Sequence, residues 1–162
     1  MLNHTISWSK TLKYTFFVNI IFALELGLAA IPNVQVTTVL MLILAQKLGN
    51  MKEYTFYTFI YILLQGLWWG FSFYLISMFV GWLIWGWVSI RMNEWKVEYQ
   101  SMIGFVFAFI YGLTFYPLTY FIYLTPFIPY LIADFPFALI MATSNALTIM
   151  WLRNILYKRV PL

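Results

Sequence analysis

The chain has no cysteine and a single histidine, His4. The first absence excludes disulfides, thiolate metal sites and a cysteine nucleophile. The second excludes a bis-histidine haem site and a zinc site built on histidines. Charge is scarce too. Nine Lys and Arg and five Asp and Glu make up 9% of 162 residues, where a soluble domain carries ~25%. No base–nucleophile constellation, metal-ligand spacing or glycine-rich phosphate loop can be assembled from so few groups, and the loops are too short to hold an ATPase. An enzyme is therefore not expected, nor is a resident metal or cofactor. The net charge of +4 is no sign of a nucleic-acid partner, because of where the charges sit.

What is present is apolar: 64% of the residues are hydrophobic and 22% aromatic. This composition predicts an all-α, polytopic membrane protein, one transmembrane domain over residues 1–162 with the lipid bilayer as its surroundings. No cleaved signal peptide is expected, because the first apolar run is too long for a signal core and no small-residue cleavage site follows it. Charges partition the rest. Glu25 stands alone between Tyr14 and Gln46, no charge occurs from Tyr54 to Ile90, and Asp134 stands alone between Tyr99 and Leu152. A crossing takes ~20 residues, so each long run holds two. The spacing predicts a six-helix bundle with spans at about 13–31, 35–48, 54–70, 72–91, 100–122 and 127–153, broken at Pro32, Gly49, Gly70 and Pro117. The second is short: it either tilts little in a locally thin region of the bilayer or sits partly inside the bundle. With six spans, Lys10, Lys13, Lys47, Lys52, Arg91, Lys96, Arg153, Lys158 and Arg159 all fall on one side. The positive-inside rule makes that side the cytoplasm, with both termini there.

Aromatic residues at the ends of spans are read first as interfacial anchors: Trp8, Trp85, Trp87, Trp95 and Trp151. Trp68 and Trp69 fit either that belt or a stacking wall of a ligand site. Polar groups at membrane depth carry more information. Asn19–Leu40 is a helix, a break at Ile31-Pro32-Asn33 and a second helix, with Glu25 inside the first. Irregular backbone at that depth needs protein cover or a wet cavity beside it. Glu25 is therefore either a hydrogen-bonded bundle acid or a ligand or network contact at such a cavity. Ala23, Gly27 and Ala30 form a small-residue stripe on the opposite face of the helix. It suits close packing either within the chain or against a separate membrane protein. Gln65 and Trp69 share a helical face, which fits an amide beneath an indole for a planar polar ligand, or an ordinary interhelical amide bond. Asp134 reads either as a helix cap before Pro136 or as a polar group of the cavity, with Asn145 three turns along.

Two segments carry a resemblance: ALELGLAAIPNVQVTTVL at 23–40 and YLIADFPFALIMATSNALTIMWL at 130–152. The chain resembles the substrate-binding S components of energy-coupling factor (ECF) vitamin transporters in size, in the six spans and in the break after the first. Pro136, Phe137, Leu139, Ile140 and Asn145 match the final-helix pattern of that family. Its Asp, His and Gly are replaced here by Ala138, Met141 and Ser144, so no substrate carries over. The resemblance implies a multi-pass protein of a bacterial plasma membrane. It binds a vitamin from outside and docks on a membrane T component that carries two cytoplasmic ATPase subunits. It further implies docking through Ala23, Gly27 and Ala30, and a pocket drawn from Asn33, Gln35, Trp68, Trp69, Tyr74, Tyr116 and Asn145, alongside Glu25 and Gln65.

No basic residue falls on the outward half, so a neutral or cationic ring is favoured: a hydroxymethylpyrimidine, pyridoxine or a thiamine-like compound. Folate is disfavoured. Pantothenate is not excluded, since amides and helix N-termini can hold a carboxylate. Two other readings compete: a ligand-free structural or assembly subunit of a membrane complex, and a small solitary carrier using Glu25 and Asp134.

Overall fold

The computed structural model describes residues 8–29 and 35–160, and among these it is all-helical. The helices are α1 (Trp8–Leu28), α2 (Thr37–Leu48), α3 (Met51–Trp69), α4 (Tyr74–Arg91), α5 (Val97–Leu113), α6 (Tyr116–Tyr123) and α7 (Phe127–Arg159). Four stretches are long and apolar enough to cross a membrane: Ser9–Leu28, Tyr74–Arg91, Val97–Tyr123 and Phe127–Arg159. The break near Pro32, together with Ala30 and Asn33, lies outside the described residues, as does the side chain of Trp8.

The core is built around α2. Its sequence, TTVLMLILAQKL, has an apolar residue on every side, and every position but Lys47 is buried. A helix hydrophobic all round belongs inside other helices, and α1, α3, α4 and α7 enclose it. Its 12 residues rise only about 18 Å, short of ~30 Å of hydrocarbon. The second expected span is thus an internal element. Gly49 ends it in the left-handed region, at φ 61°, with its N–H on the Ala45 carbonyl, a conformation that costs glycine nothing. Asn50 then caps α3, its side chain accepting from the Lys52 N–H at 2.9 Å.

The expected fifth helix, 100–122, is two helices. Thr114 Oγ1 donates to the Tyr111 carbonyl at 2.7 Å and contacts the Ser77 carbonyl at 3.1 Å. Pro117 in the first turn of α6 has no N–H to return to Leu113. Trp85 corrects the belt expectation. It is fully buried, its indole N–H on the Thr38 carbonyl at 3.0 Å and its ring stacked on Phe107 at 4.5 Å. The reason lies in the inner face of α4, where small residues alternate with indoles: Ser77, Gly81, Trp82, Trp85, Gly86 and Ser89. The indoles fit because the glycines leave room for rings from α3 and α5. Trp82, in the same layer, packs against Tyr61, Phe107 and Tyr111. Trp87, Trp95 and Trp151 are exposed, as anchors should be.

At one end of the bundle, contacts gather the start of α1, the end of α2, the start of α3, the α4–α5 loop and the end of α7. Lys10 pairs with Glu53 at 2.8 Å, and Lys47 lies over the Tyr157 ring. Arg153 donates to Gln46 Oε1 at 2.9 Å and to the Asn93 carbonyl at 3.3 Å. Gln46 in turn donates to Gln100, whose amide donates to the Met92 and Trp95 carbonyls.

Gly86 tests the packing. A methyl group there collides with the ring of Tyr54, whose hydroxyl is tied to the Trp82 carbonyl at 3.1 Å. Gly86→Ala is expected to destabilise the protein by about 1–3 kcal/mol through overpacking. Gly27→Ala, which adds a methyl group to open space, should be neutral or slightly stabilising, because alanine favours helix. Thermal unfolding of both variants in detergent gives the comparison.

Candidate functional site

Two polar centres lie away from the basic end. The first joins α1 to α3. Tyr61 and Gln65 are one turn apart on α3 and both face Glu25 of α1. The Tyr61 hydroxyl donates to Glu25 Oε2. Gln65 Nε2 donates to the same oxygen at 2.8 Å and to the Tyr61 oxygen at 2.9 Å. Tyr61 and Gln65 are buried. A carboxylate at membrane depth is costly unless partnered, and two donors on one oxygen supply that partnership. The structure brings Glu25 and Gln65 together, and neither borders the cavity described next.

The second centre is a cavity of about 280 Å³ between α5, α6, α7 and the entry to α2. Three segments form its polar wall. Gln35 is held through its backbone N–H, which donates to Ser144 Oγ at 3.0 Å, while its side-chain Oε1 is buried without a hydrogen-bond partner. Tyr130 donates to the Gly112 carbonyl at 2.6 Å. Asp134 lies directly over Gly112, and a β-carbon at that glycine would run into its carboxylate. The absent side chain is what lets the acid rest on α5. Thr119 borders the cavity as well, its hydroxyl turned to the Phe115 carbonyl at 3.0 Å. Tyr111, Phe115 and Phe137 supply aromatic wall, and Ala138 and Met141 close the side towards the core.

Asp134 does not cap a helix. α7 begins at Phe127 with Pro126 as its N-cap, and Pro136 lies inside it. The acid therefore stands about two turns in, facing the cavity.

The other expected site residues fall elsewhere. Trp68 and Trp69 are 63% and 64% exposed, and Trp68 meets Phe22 edge to face. Gln65 and Trp69 are one turn apart, but the amide is buried against Glu25 and Tyr61 and the indole is exposed. Tyr74 lies in a shallower groove with Phe71, Phe73 and Ile122. Tyr116 packs on Phe127 and Tyr130 at 4.9 and 5.2 Å, one layer behind the cavity wall. Asn145 is fully buried and donates to the Gly104 carbonyl at 3.2 Å, joining α5 to α7 below the cavity. Ala23 and Gly27 are exposed on the outer side of α1.

Sequence reasoning passed over Tyr111, Gly112, Phe115, Thr119, Tyr130 and Phe137. A signal for part of this wall exists. Gly104, Ala108, Tyr111 and Phe115 repeat at i, i+4, i+7 and i+11, as do Asp134, Ala138, Met141 and Asn145. Two small-and-large faces of the same period mark two helices packed along their length. The chain matches no protein-family model, no curated protein and no solved structure.

The Glu25 cluster yields a stability prediction. Tyr61→Phe removes one donor from a half-buried carboxylate and is expected to cost about 1–3 kcal/mol. Glu25→Gln keeps an oxygen that can accept from Tyr61 and should cost less. Denaturant unfolding in detergent ranks the two.

Proposed function

We propose that this chain is the substrate-binding membrane subunit of an ATP-driven importer of the energy-coupling factor type, taking up a small water-soluble vitamin or vitamin precursor. The observation that carries the reading is the cavity at Asp134 and Gln35. It lies at the end of the bundle opposite Arg153, Lys47 and the Lys10–Glu53 pair. In the proposed orientation the chain passes through the bilayer six times, with α2 as an internal pass. The basic end and both termini are cytoplasmic, and the cavity faces outward.

Its size, about 280 Å³, is at the lower limit of ligand sites, which run from ~300 Å³. That suits a one-ring compound such as a hydroxymethylpyrimidine or pyridoxine, leaves a thiamine-like molecule only partly enclosed, and does not suit folate. The mixture of aromatic wall and a few convergent polar groups is the usual character of such a site. Docking on a T component with its two ATPases is assigned to the outer face of α1. Ala23 and Gly27 leave that face smooth, and a β-carbon at Gly27 would meet nothing within 4 Å.

Purification in mild detergent from the host tests the assembly. Recovery of a T-type membrane protein with two ATPases is expected, and recovery of a different complex sinks the reading. Gly27→Leu is expected to abolish that co-purification while leaving ligand affinity unchanged, since the residue is remote from the cavity. Trp69→Ala should alter neither, and a loss of affinity in that variant would move the ligand site to the end of α3.

A further inference from the structure

We infer that the cavity beside Asp134 recognises an organic cation carrying N–H groups: a protonated amine, an amidine or an amino-substituted heteroaromatic cation. The inference rests on the cavity being the ligand site and specifies the chemistry of what it holds.

The argument is a count of donors and acceptors around the wall. Gln35 Oε1 is buried and unpartnered, and it is an acceptor. The Asp134 carboxylate makes no hydrogen bond among the described residues, and when ionised it only accepts. Tyr130 and Thr119 have spent their single hydroxyl protons on the Gly112 and Phe115 carbonyls, so each offers the cavity only lone pairs. Four residues that border the cavity thus have side-chain oxygens left to accept. Among the described residues of the wall, the side-chain donors that oppose them are the Tyr111 hydroxyl and the Gln35 amide. A ligand rich in acceptors would leave these oxygens unsatisfied, which costs more than the same bonds would gain. A ligand rich in N–H groups satisfies them.

Charge points the same way. No Lys or Arg borders the cavity, and the cationic contacts of the bundle are at its far end. An anion would meet Asp134 with no compensating charge, whereas a cation would meet a carboxylate. Tyr111, Phe115, Tyr130 and Phe137 make up much of the remaining wall, and aromatic ring faces attract cations electrostatically. Both neutral and anionic ligands of the same size forgo these contributions.

The test is equilibrium binding to the purified full chain in detergent, with one-ring probes of matched size. Benzylammonium and 4-aminopyridinium carry charge and N–H donors, N-methylpyridinium carries charge alone, benzyl alcohol is neutral and benzoate is an anion. The two N–H cations are expected to bind best, N-methylpyridinium more weakly, benzyl alcohol weakly and benzoate not at all. Asp134→Asn should weaken the N–H cations at least tenfold and leave benzyl alcohol unchanged. Gln35→Glu adds a second carboxylate to the wall and should tighten the cations, giving a readout that does not depend on the first variant folding. Benzoate or benzyl alcohol binding as tightly as benzylammonium overturns the inference but keeps the cavity as a ligand site. So does cation binding that ignores both substitutions. Binding of no probe of any charge overturns the ligand-site reading itself and this inference with it.

Discussion

Burial of α2 on all sides is the constraint from which most of the architecture follows. A helix with apolar side chains all round has no face to give to water, and this one is also too short to span a bilayer alone. It is stable only where other helices surround it, and α1, α3, α4 and α7 do so. That enclosure gathers the longer helices around one axis. It also places the two ends of α2 at the two polar regions of the molecule. Gln35, two residues before its start, reaches the cavity. Gln46, near its end, sits in the network with Gln100 and Arg153. The middle is apolar and the ends are polar, and Gln46 is partnered by Gln100 and Arg153, which is how a buried helix can carry an amide.

Around this axis the remaining helices meet by matching glycines to larger side chains. Gly86 receives Tyr54, Gly81 receives Tyr111, and Gly104 receives Ile149. Lipid tails are as apolar as side chains, so helices in a bilayer gain little from burying hydrophobic surface against one another, and association depends on close packing and interhelical hydrogen bonds. The contacts follow that rule. The Tyr54 hydroxyl on the Trp82 carbonyl, the Trp85 indole on Thr38, Ser101 on Ala146 and Asn145 on Gly104 all tie a side chain to the backbone of another helix.

How far the sequence could be read depended on the range of the interaction. Composition and local breaks were readable because they are set by neighbours in the chain. Gly49 stops α2, Asn50 caps α3, and the isolated charges of Glu25 and Asp134 stand out against apolar runs. In α4 the helical period sets Trp82 and Trp85 among the glycines and serines of one face, a pattern that the expectation of Trp85 as an anchor overlooked. An indole looks interfacial until the glycines that make room for it are paired with particular rings from other helices. Glu25 and Gln65 were both conspicuous, but their meeting through Tyr61 depends on how α1 lies along α3 and is written in neither helix alone. Trp69 and Asn145 stand in opposite settings that neither helix discloses alone: the indole is exposed, and the amide is buried against the backbone of α5. The cavity wall was least accessible, because Gly112 contributes to it by lacking a side chain and Tyr130 by presenting a lone pair.

Arg153 has an electrical consequence. Its guanidinium is held by a glutamine amide, an asparagine side chain, a backbone carbonyl and the face of Tyr157. Among the described residues the ion pair is elsewhere, at Lys10 and Glu53. None of the groups around Arg153 is an anion, so its charge is undiminished. In the proposed orientation that charge lies on the negative side of an energised membrane. Carrying one elementary charge across such a membrane costs ~2.3 kcal/mol per 100 mV. Lys47, over the same tyrosine ring, adds to the sum. With the basic end so placed, the membrane voltage would act as a tether on that end of the molecule. In that orientation, any motion that lifts Arg153 towards the outer leaflet would be opposed in proportion to how far it travels.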